Sequence, residues 1–335
     1  MSRLARFLKF TMSILAKFFS DFFITRLQRD HGRDTVATRP QAAGAITIRD
    51  RYMKLLTDSL LNEIYLENEV RFLYIFSTLL EGRPINTGVV RQISQRLPDL
   101  VESVRAARQN GSIWWRMDIQ RDGATQNVDL RDLCQFSHTM VGRKRLEHIL
   151  HCLDIVRVEG LSGDLAETGA WRGGACILMR GYLAAWNMCD KLVWVADSFE
   201  GLPKPSLPED AGYDFSAERV PILAVTLEEV QENFRRYGLL DEQVRFLKGW
   251  FRDTLPSAPI DKLALLRLDG DLYESTRDAL NALYHKVVPG GFVIVDDYGD
   301  FEPCRRAVDE FRNRHGITEP IERIDWTGCY WRRVA

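Results

Sequence analysis

The sequence predicts a doubly wound α/β domain with a mostly parallel sheet over residues 136–335, preceded by a helical segment. Three observations predict it. After about residue 130, strand-like and helix-like runs alternate every few tens of residues, the pattern of βαβ units covered on both faces. The strand-like runs are short, continuous and apolar, as strands buried on both faces are. A strand such as DLAET runs directly into glycines and then a helix.

Length and composition agree with a soluble globular chain. The 335 residues are 45% apolar and 27% charged, with a net charge of -2, which leaves no electrostatic footprint for nucleic acid. Six cysteines, Cys134, Cys152, Cys176, Cys189, Cys304 and Cys329, show neither CxxC nor Cys/His metal spacing. Several lie in apolar surroundings and read as small core residues, and a reducing, cytoplasmic compartment fits best.

Residues 1–47 form the first segment. LARFLKFTMSILAKFFSDFFITRLQR carries six phenylalanines among basic residues, and Lys17 and Asp21 interrupt it too often for a bilayer span. No small-residue cleavage site follows a clean apolar core, which argues against a signal peptide. Leu4, Leu8, Leu15, Phe18 and Phe22 recur at helical spacing. Contact of residues 1–30 with a membrane surface is one reading; packing on protein or a subunit partner is preferred, because amphipathicity more often reflects packing. Residues 30–47 read as a linker.

Residues 48–135 form the second segment, a helical cover. Tyr52, Leu55, Leu56, Leu60, Ile64 and then Val70, Leu73, Phe76 and Leu79 predict two helices or one broken helix. Another helix is expected around 89–108, then a loop through QNGSIWWRMDIQRDGATQN.

In the third segment, HTMVGRKRLEHILHC begins with a helix. Strands DLAET, LVWVAD, VRFLKG, LALLRLD and GFVIVDD follow, separated by helices, and IERIDWTGCYWRR supplies one or two closing strands. Ligands of such sheets sit beyond the carboxyl ends of the strands. The chemistry-bearing residues lie there. Gly169, Gly173 and Gly174 allow a tight turn and close approach to a ligand at a helix start, without GxGxxG or the Lys-Ser/Thr of a phosphate loop. Asp197, at the second strand tip, suits the hydroxyls of an adenosine ribose. Gly249 and Trp250 offer an adenine rest. Together these point to an adenosine cofactor and leave nicotinamide and sulfonium donors both open.

Asp269 and Asp271 end the fourth strand, Asp296 and Asp297 the fifth, and the two strands are expected to be neighbours. Carboxylates so gathered repel one another and rise in pKa unless a cation is present. Magnesium, with its oxygen ligands, is the natural ion. It could bind two adjacent hydroxyls and acidify one, with Asp271 taking the proton. Helix caps or solvated strand ends are the competing reading.

GDLAETGAWRGGACILMRG, VWVADSFEGLPKP, LALLRLDGDLYESTRDAL, PGGFVIVDDYG and IDWTGCYWRR together resemble the macrocin-type O-methyltransferases, which methylate sugar hydroxyls of macrolide and aminocoumarin antibiotics. RYMKLLTDSLLNEIY and SHTMVGRKRLEHILHC are similar to that family too. The resemblance implies a seven-stranded class I fold, S-adenosylmethionine and Mg2+ as cofactors, a small-molecule or glycan sugar acceptor, and a homo-oligomer. By motif it implies Asp269, Asp296 and Asp297 as metal ligands and Asp271 as general base. Glu167, Thr168, Gly169, Gly173, Asp197, Ser198, Gly249 and Trp250 fall where the cofactor is held, with Thr139 and Met140 approaching it. His138, in the same segment, reads equally as a catalytic or a structural residue.

Two departures from the family stand out: the phenylalanine-rich start, and a stretch expanded across 66–130 that contains Trp114 and Trp115. A nicotinamide-dependent sugar dehydrogenase would need a glycine fingerprint and a Tyr/Lys base. A non-catalytic methyltransferase-fold subunit predicts loss of the acids and glycines, all of which remain.

Overall fold

The structure, a computed structural model, describes residues 46–111, 116–121, 124–129 and 136–334. The amphipathic stretch within 1–30, the linker to residue 45, Trp114, Trp115 and Cys134 lie outside the described residues. Among the described residues no helix is long and apolar enough to cross a membrane.

Thr47 and Asp50 exchange side-chain and backbone hydrogen bonds, a capping box that starts α1 (Ile48–Leu60). α1 buries Met53, Leu56, Thr57 and Leu60 at helical spacing. It is followed by α2 (Leu66–Leu80), so the predicted two-helix pattern holds. The single helix expected over 89–108 is instead two short pieces, Thr87–Arg91 and Ile93–Arg96, and then α3 (Pro98–Asn110). Gln92 and Leu97 leave helical dihedrals (ψ 43° and 54°), and Pro98 starts a helix more readily than it continues one. Part of the expected loop is an antiparallel hairpin, β1 (Arg116–Arg121) with β2 (Ala124–Asp129). Its sequence signal is the Asp122-Gly123 pair, a strong hairpin-turn dipeptide.

The α/β part then runs α4 (Arg143–Val158), β3 (Asp164–Thr168), α5 (Gly174–Ala185), β4 (Val193–Asp197), α6 (Leu227–Arg236), β5 (Val244–Lys248), β6 (Leu263–Leu268), α7 (Tyr273–Leu283), β7 (Val287–Val295), α8 (Glu302–His315), β8 (Glu322–Arg323) and β9 (Cys329–Arg332). The seven-stranded sheet has the order β5-β4-β3-β6-β7-β9-β8. β5, β4, β3, β6 and β7 are parallel, while β9 runs antiparallel to both β7 and β8. This is the predicted doubly wound sheet, with the last two strands closing one edge.

Alternation along the strands divides the core. Leu165, Val193, Val195, Leu265 and Phe292 face one layer with α1, α4, α5 and α6. Ala166, Trp194, Leu266, Val293 and Trp331 face the other with α7 and α8. Both faces being covered explains why the strands read as unbroken apolar runs. Arg267, in the middle of LLRLD, is the exception.

Candidate active site

The chain enters the sheet at its centre on β3, moves outward through β4 and β5, and returns to β6 on the other side of β3. Strand order therefore reverses between β3 and β6, where the opened carboxyl ends leave a crevice. Hydrogen bonds continue past the strand tips: Asp269 N–H to the Thr168 carbonyl (2.8 Å), Asp296 N–H to Leu268 (2.9 Å), and Gly169 N–H to Ala196 (2.9 Å). They bring the glycine turn and both acidic tips to one edge. Gly169 has φ 92°, and a Cβ there would stand 1.7 Å from the Asp269 carbonyl oxygen. Only glycine permits that approach.

Two adjoining clefts occupy this edge. One is lined by Thr139, Met140, Glu167, Asp269, Asp271, Asp296 and Asp297, with Trp171, Phe215, Phe301 and Trp326 as an aromatic wall. The other is lined by Gly169, Asp197, Ser198, Gly249 and Trp250, and shares Met140, Asp269 and Asp271 with the first. Thr168 and Gly173, of the sequence-derived cofactor set, reach neither cleft. Thr168 is wholly buried. Gly173 turns the chain into α5 at φ 85°, where a Cβ would meet Val230 at 2.9 Å. No described residue ahead of Thr139 lines either cleft. The described part of the helical segment braces the Ser137–Val141 strip: the His138 N–H donates to the Leu60 carbonyl (2.8 Å) and Arg108 to Ser137 Oγ (3.2 Å).

Asp197 ties the glycine turn to the β4 tip. Its Oδ2 accepts the N–H groups of Ala170 (2.7 Å) and Trp171 (3.2 Å), and its Oδ1 accepts that of Phe199 (2.7 Å). Burial raises its pKa while those donors pull it down. Trp171, Phe199 and Asp271 all hold positive φ (48°, 57° and 62°). Strained non-glycine backbone thus surrounds the clefts, as it does at many functional sites.

The acids are arranged around two buried arginines. Arg267 pairs with Glu167, Asp269 (2.6 Å) and Asp296. Arg145, from α4, pairs with Asp296 and Asp325 (3.1 Å). Asp271 and Asp297 have no ion-pair partner among the described residues; the Asp271 N–H donates to Asp297 Oδ2 (3.3 Å). Carboxylate oxygens of Asp269, Asp271 and Asp297 lie within 4.8 Å of one another. The grouping differs from the motif-derived trio, which had Asp296 in place of Asp271; both Asp296 oxygens meet guanidinium groups.

Burial, then the charge of neighbouring acids, pushes Asp269 up to about 6 and Asp271 up to about 8, and holds Asp297 well above the carboxylate range. Glu167 is pushed up to about 7 by burial against the pull of Arg267, and its Oε2 accepts the Cys176 thiol (2.8 Å). A cluster that resists carrying its full negative charge is one that a hard cation would relieve. His138 lines neither cleft, and its Nδ1 lies 2.8 Å from the Tyr237 hydroxyl.

Sequence reasoning missed Arg267, Arg145 and Asp325. Arg267 had a signal, a lone cation inside an apolar strand, which must find buried carboxylates. Arg145 and Asp325 had none, since 180 residues separate them.

A sheet of this order, with a glycine turn opening α5 and acids at the switch point, defines a class I methyltransferase, and the chain is an S-adenosylmethionine-dependent O-methyltransferase. The profile of the macrocin-O-methyltransferase (TylF) family matches residues 49–333, and the chain belongs to that family. A demethyldecarbamoylnovobiocin O-methyltransferase of Streptomyces niveus is 53% identical over 222 residues, 66% of this chain and 82% of that protein. A mycinamicin III 3''-O-methyltransferase of Micromonospora griseorubida is 51% identical over 203 residues, 59% of this chain and 80% of that one. The solved structure of the O-methyltransferase NovP matches with a TM-score of 0.66 at 42% identity, covering 86% of this chain and 100% of that chain.

Proposed function

We propose that the chain transfers the methyl group of S-adenosylmethionine to a sugar hydroxyl of a glycosylated, antibiotic-type small molecule, with magnesium at the acidic cluster. The observation that carries this reading is the gathering of Asp269, Asp271 and Asp297 at the switch point, between the glycine-turn cleft and the aromatic cleft. A relative of Streptomyces olivaceus, 53% identical over 213 residues, is named for a rhamnosyl-tetracenomycin C acceptor, which supports a sugar as acceptor class. Scattered free cysteines support a reducing, cytoplasmic setting.

The donor set suits magnesium, being all carboxylate oxygen. Asp269 and Asp297, common to the motif and to the spatial cluster, are assigned as its ligands. Asp296, spent on Arg145 and Arg267, is assigned to hold those ligands in place, and serves as a ligand itself only on leaving one arginine. Bound there, magnesium would neutralise the acids and lower the pKa of an adjacent hydroxyl.

The cofactor is assigned to the cleft of Gly169, Asp197, Gly249 and Trp250, and the acceptor to the cleft walled by Trp171, Phe215 and Phe301. The aromatic wall excludes water and packs the C–H faces of a sugar and its apolar aglycone. In the transfer the sulfonium S–CH3 bond breaks as the O–CH3 bond forms, and the hydroxyl proton passes to Asp271. S-adenosylhomocysteine titrated calorimetrically into the protein should bind; absence of heat at millimolar ligand overturns the cofactor assignment. Asp297→Ala should remove magnesium-stimulated turnover on demethyldecarbamoylnovobiocin or mycinamicin III, and full activity in chelator would exclude the metal.

A further inference from the structure

The long connection between β4 and α6 covers both clefts, contributing Pro203, Lys204 and Asp210 to one, Phe215 and Ile222 to the other, and Leu223 to both. At its far end the Trp171 indole N–H donates to the Ile222 carbonyl (2.7 Å). Near its middle lies Asp210, only 2% exposed. Its Oδ1 accepts the N–H of Tyr273 (2.7 Å) and its Oδ2 the N–H of Glu274 (3.1 Å). These are the first two amides of α7, the helix that follows the Asp271 loop. The residue in the N-cap position, Leu272, has no side-chain acceptor to offer.

A helix start left without its own cap exposes unsatisfied amides, and a carboxylate there is favoured by both hydrogen bonding and the helix dipole. Here the cap comes from 63 residues upstream, on the connection that covers the clefts. The loop it secures is short and tense. Asp271 sits at φ 62°, a backbone region that costs a non-glycine residue energy unless its surroundings hold it. On one side Ser275 Oγ, of α7 itself, donates to the Gly270 carbonyl (2.5 Å), so the position of the Gly270–Leu272 loop depends on that of the first turn of α7. Ser206 adds a second tie between the connection and that turn, its hydroxyl donating to Glu274 Oε2 (2.7 Å).

We propose that Asp210 is a positioning residue for methyl transfer: by capping α7 from the cleft-covering connection, it holds the Gly270–Leu272 loop so that the Asp271 carboxylate stays beside Asp269 and Asp297. It acts through Asp271 and not on substrate, and the connection cannot lift away without uncapping α7. The inference rests on the role given to Asp271 above.

The test compares Asp210→Ala and Asp210→Asn with the unaltered full chain. With demethyldecarbamoylnovobiocin as acceptor, Asp210→Ala should lower kcat about tenfold at little-changed acceptor KM, the mark of lost positioning rather than lost binding. Mg2+ alone, titrated into enzyme saturated with S-adenosylhomocysteine, should bind about fivefold more weakly, while affinity for S-adenosylhomocysteine stays as it was. Asp210→Asn keeps an acceptor oxygen for Tyr273 and should recover kcat to within about threefold of the unaltered chain. Unchanged kcat and Mg2+ affinity in folded Asp210→Ala overturn the proposal, and so does an equal fall in S-adenosylhomocysteine affinity, which would make Asp210 a cofactor ligand. Should Asp210→Ala not fold, Asp210→Ser, with one side-chain oxygen in place of the two that hold the Tyr273 and Glu274 amides, decides: a fall in kcat at constant KM supports positioning, and unaltered kcat ends it. Asp271→Asn separates the two claims. If it turns over normally, the role of Asp271 fails; if it is inactive while Asp210→Ala is unimpaired, only the positioning role fails.

Discussion

Arg267, wholly buried on β6, places one guanidinium nitrogen on Asp296 while another serves Glu167 and Asp269. Three strand tips are thereby referred to a single cation that the solvent never reaches. Removing one member of a buried ion network costs more than the network contributes, because the remaining charges stay buried and unpaired. Arg267→Met keeps the volume and removes the charge. It should lower unfolding free energy by about 3–5 kcal/mol in urea titrations. A loss under about 1 kcal/mol would mean that the acids are held by something other than Arg267.

Gly169 and Asp269 approach through backbone alone. In Gly169→Ala the new methyl group would need the space of the Asp269 carbonyl, 1.7 Å away, at a φ of 92°. Either the turn or the β6 tip must shift, and both line the cleft assigned above to the cofactor. S-adenosylhomocysteine affinity should fall at least about tenfold, since displacement of a site by an ångström has effects of that order. Calorimetric titration of the folded variant reads this directly, and wild-type affinity would show that the turn is adaptable.

Glu69 and Arg108 form a buried pair between α2 and α3, with both Glu69 oxygens on Arg108 Nη2 (2.5 and 2.6 Å). Arg108 also reaches Ser137, whose hydroxyl donates to the Thr139 carbonyl (2.8 Å), so the pair supports the strip that lines both clefts. Glu69→Leu strands the guanidinium and should cost about 3–5 kcal/mol. The double variant Glu69→Leu, Arg108→Leu should recover part of that loss, and strict additivity in the double-mutant cycle would deny the coupling.

Much of the sheet was legible because buried parallel strands advertise themselves as apolar runs, and the fourth and fifth, β6 and β7, are the neighbours expected of them. The acids at the strand tips were legible because two pairs of them end apolar runs beside the glycine turn. What could not be read was which acids meet. Asp296 and Asp297 are adjacent in sequence yet point to different partners, and the choice was made by Arg145, contributed by a helix 151 residues upstream of Asp296. The capping role of Asp210 was hidden similarly, in a connection with no periodicity. The break at Leu97–Pro98 was readable from proline chemistry, and the β1–β2 hairpin from its Asp-Gly pair; polar surroundings masked both.

His138 sets an acid limit on stability. Burial, aided by Arg172 and Arg236, lowers its pKa to about 4, below the usual 6.5. Between those values the unfolded chain binds a proton that the folded chain refuses, so stability falls as pH drops from about 6.5 towards 4, at no more than about 1.4 kcal/mol per pH unit. His148, lowered to about 3 chiefly by burial, acts in the same sense. Glu167, raised to about 7, opposes them, because its folded form holds a proton that the unfolded form has released. The contribution of His138 is therefore read as a difference. Relative to His138→Gln, the unaltered chain should lose about 1–2 kcal/mol more between pH 7 and pH 5, the partial exposure of the ring being allowed for. Urea unfolding at the two pH values measures it, and parallel profiles would show that the imidazole keeps its ordinary pKa in the fold.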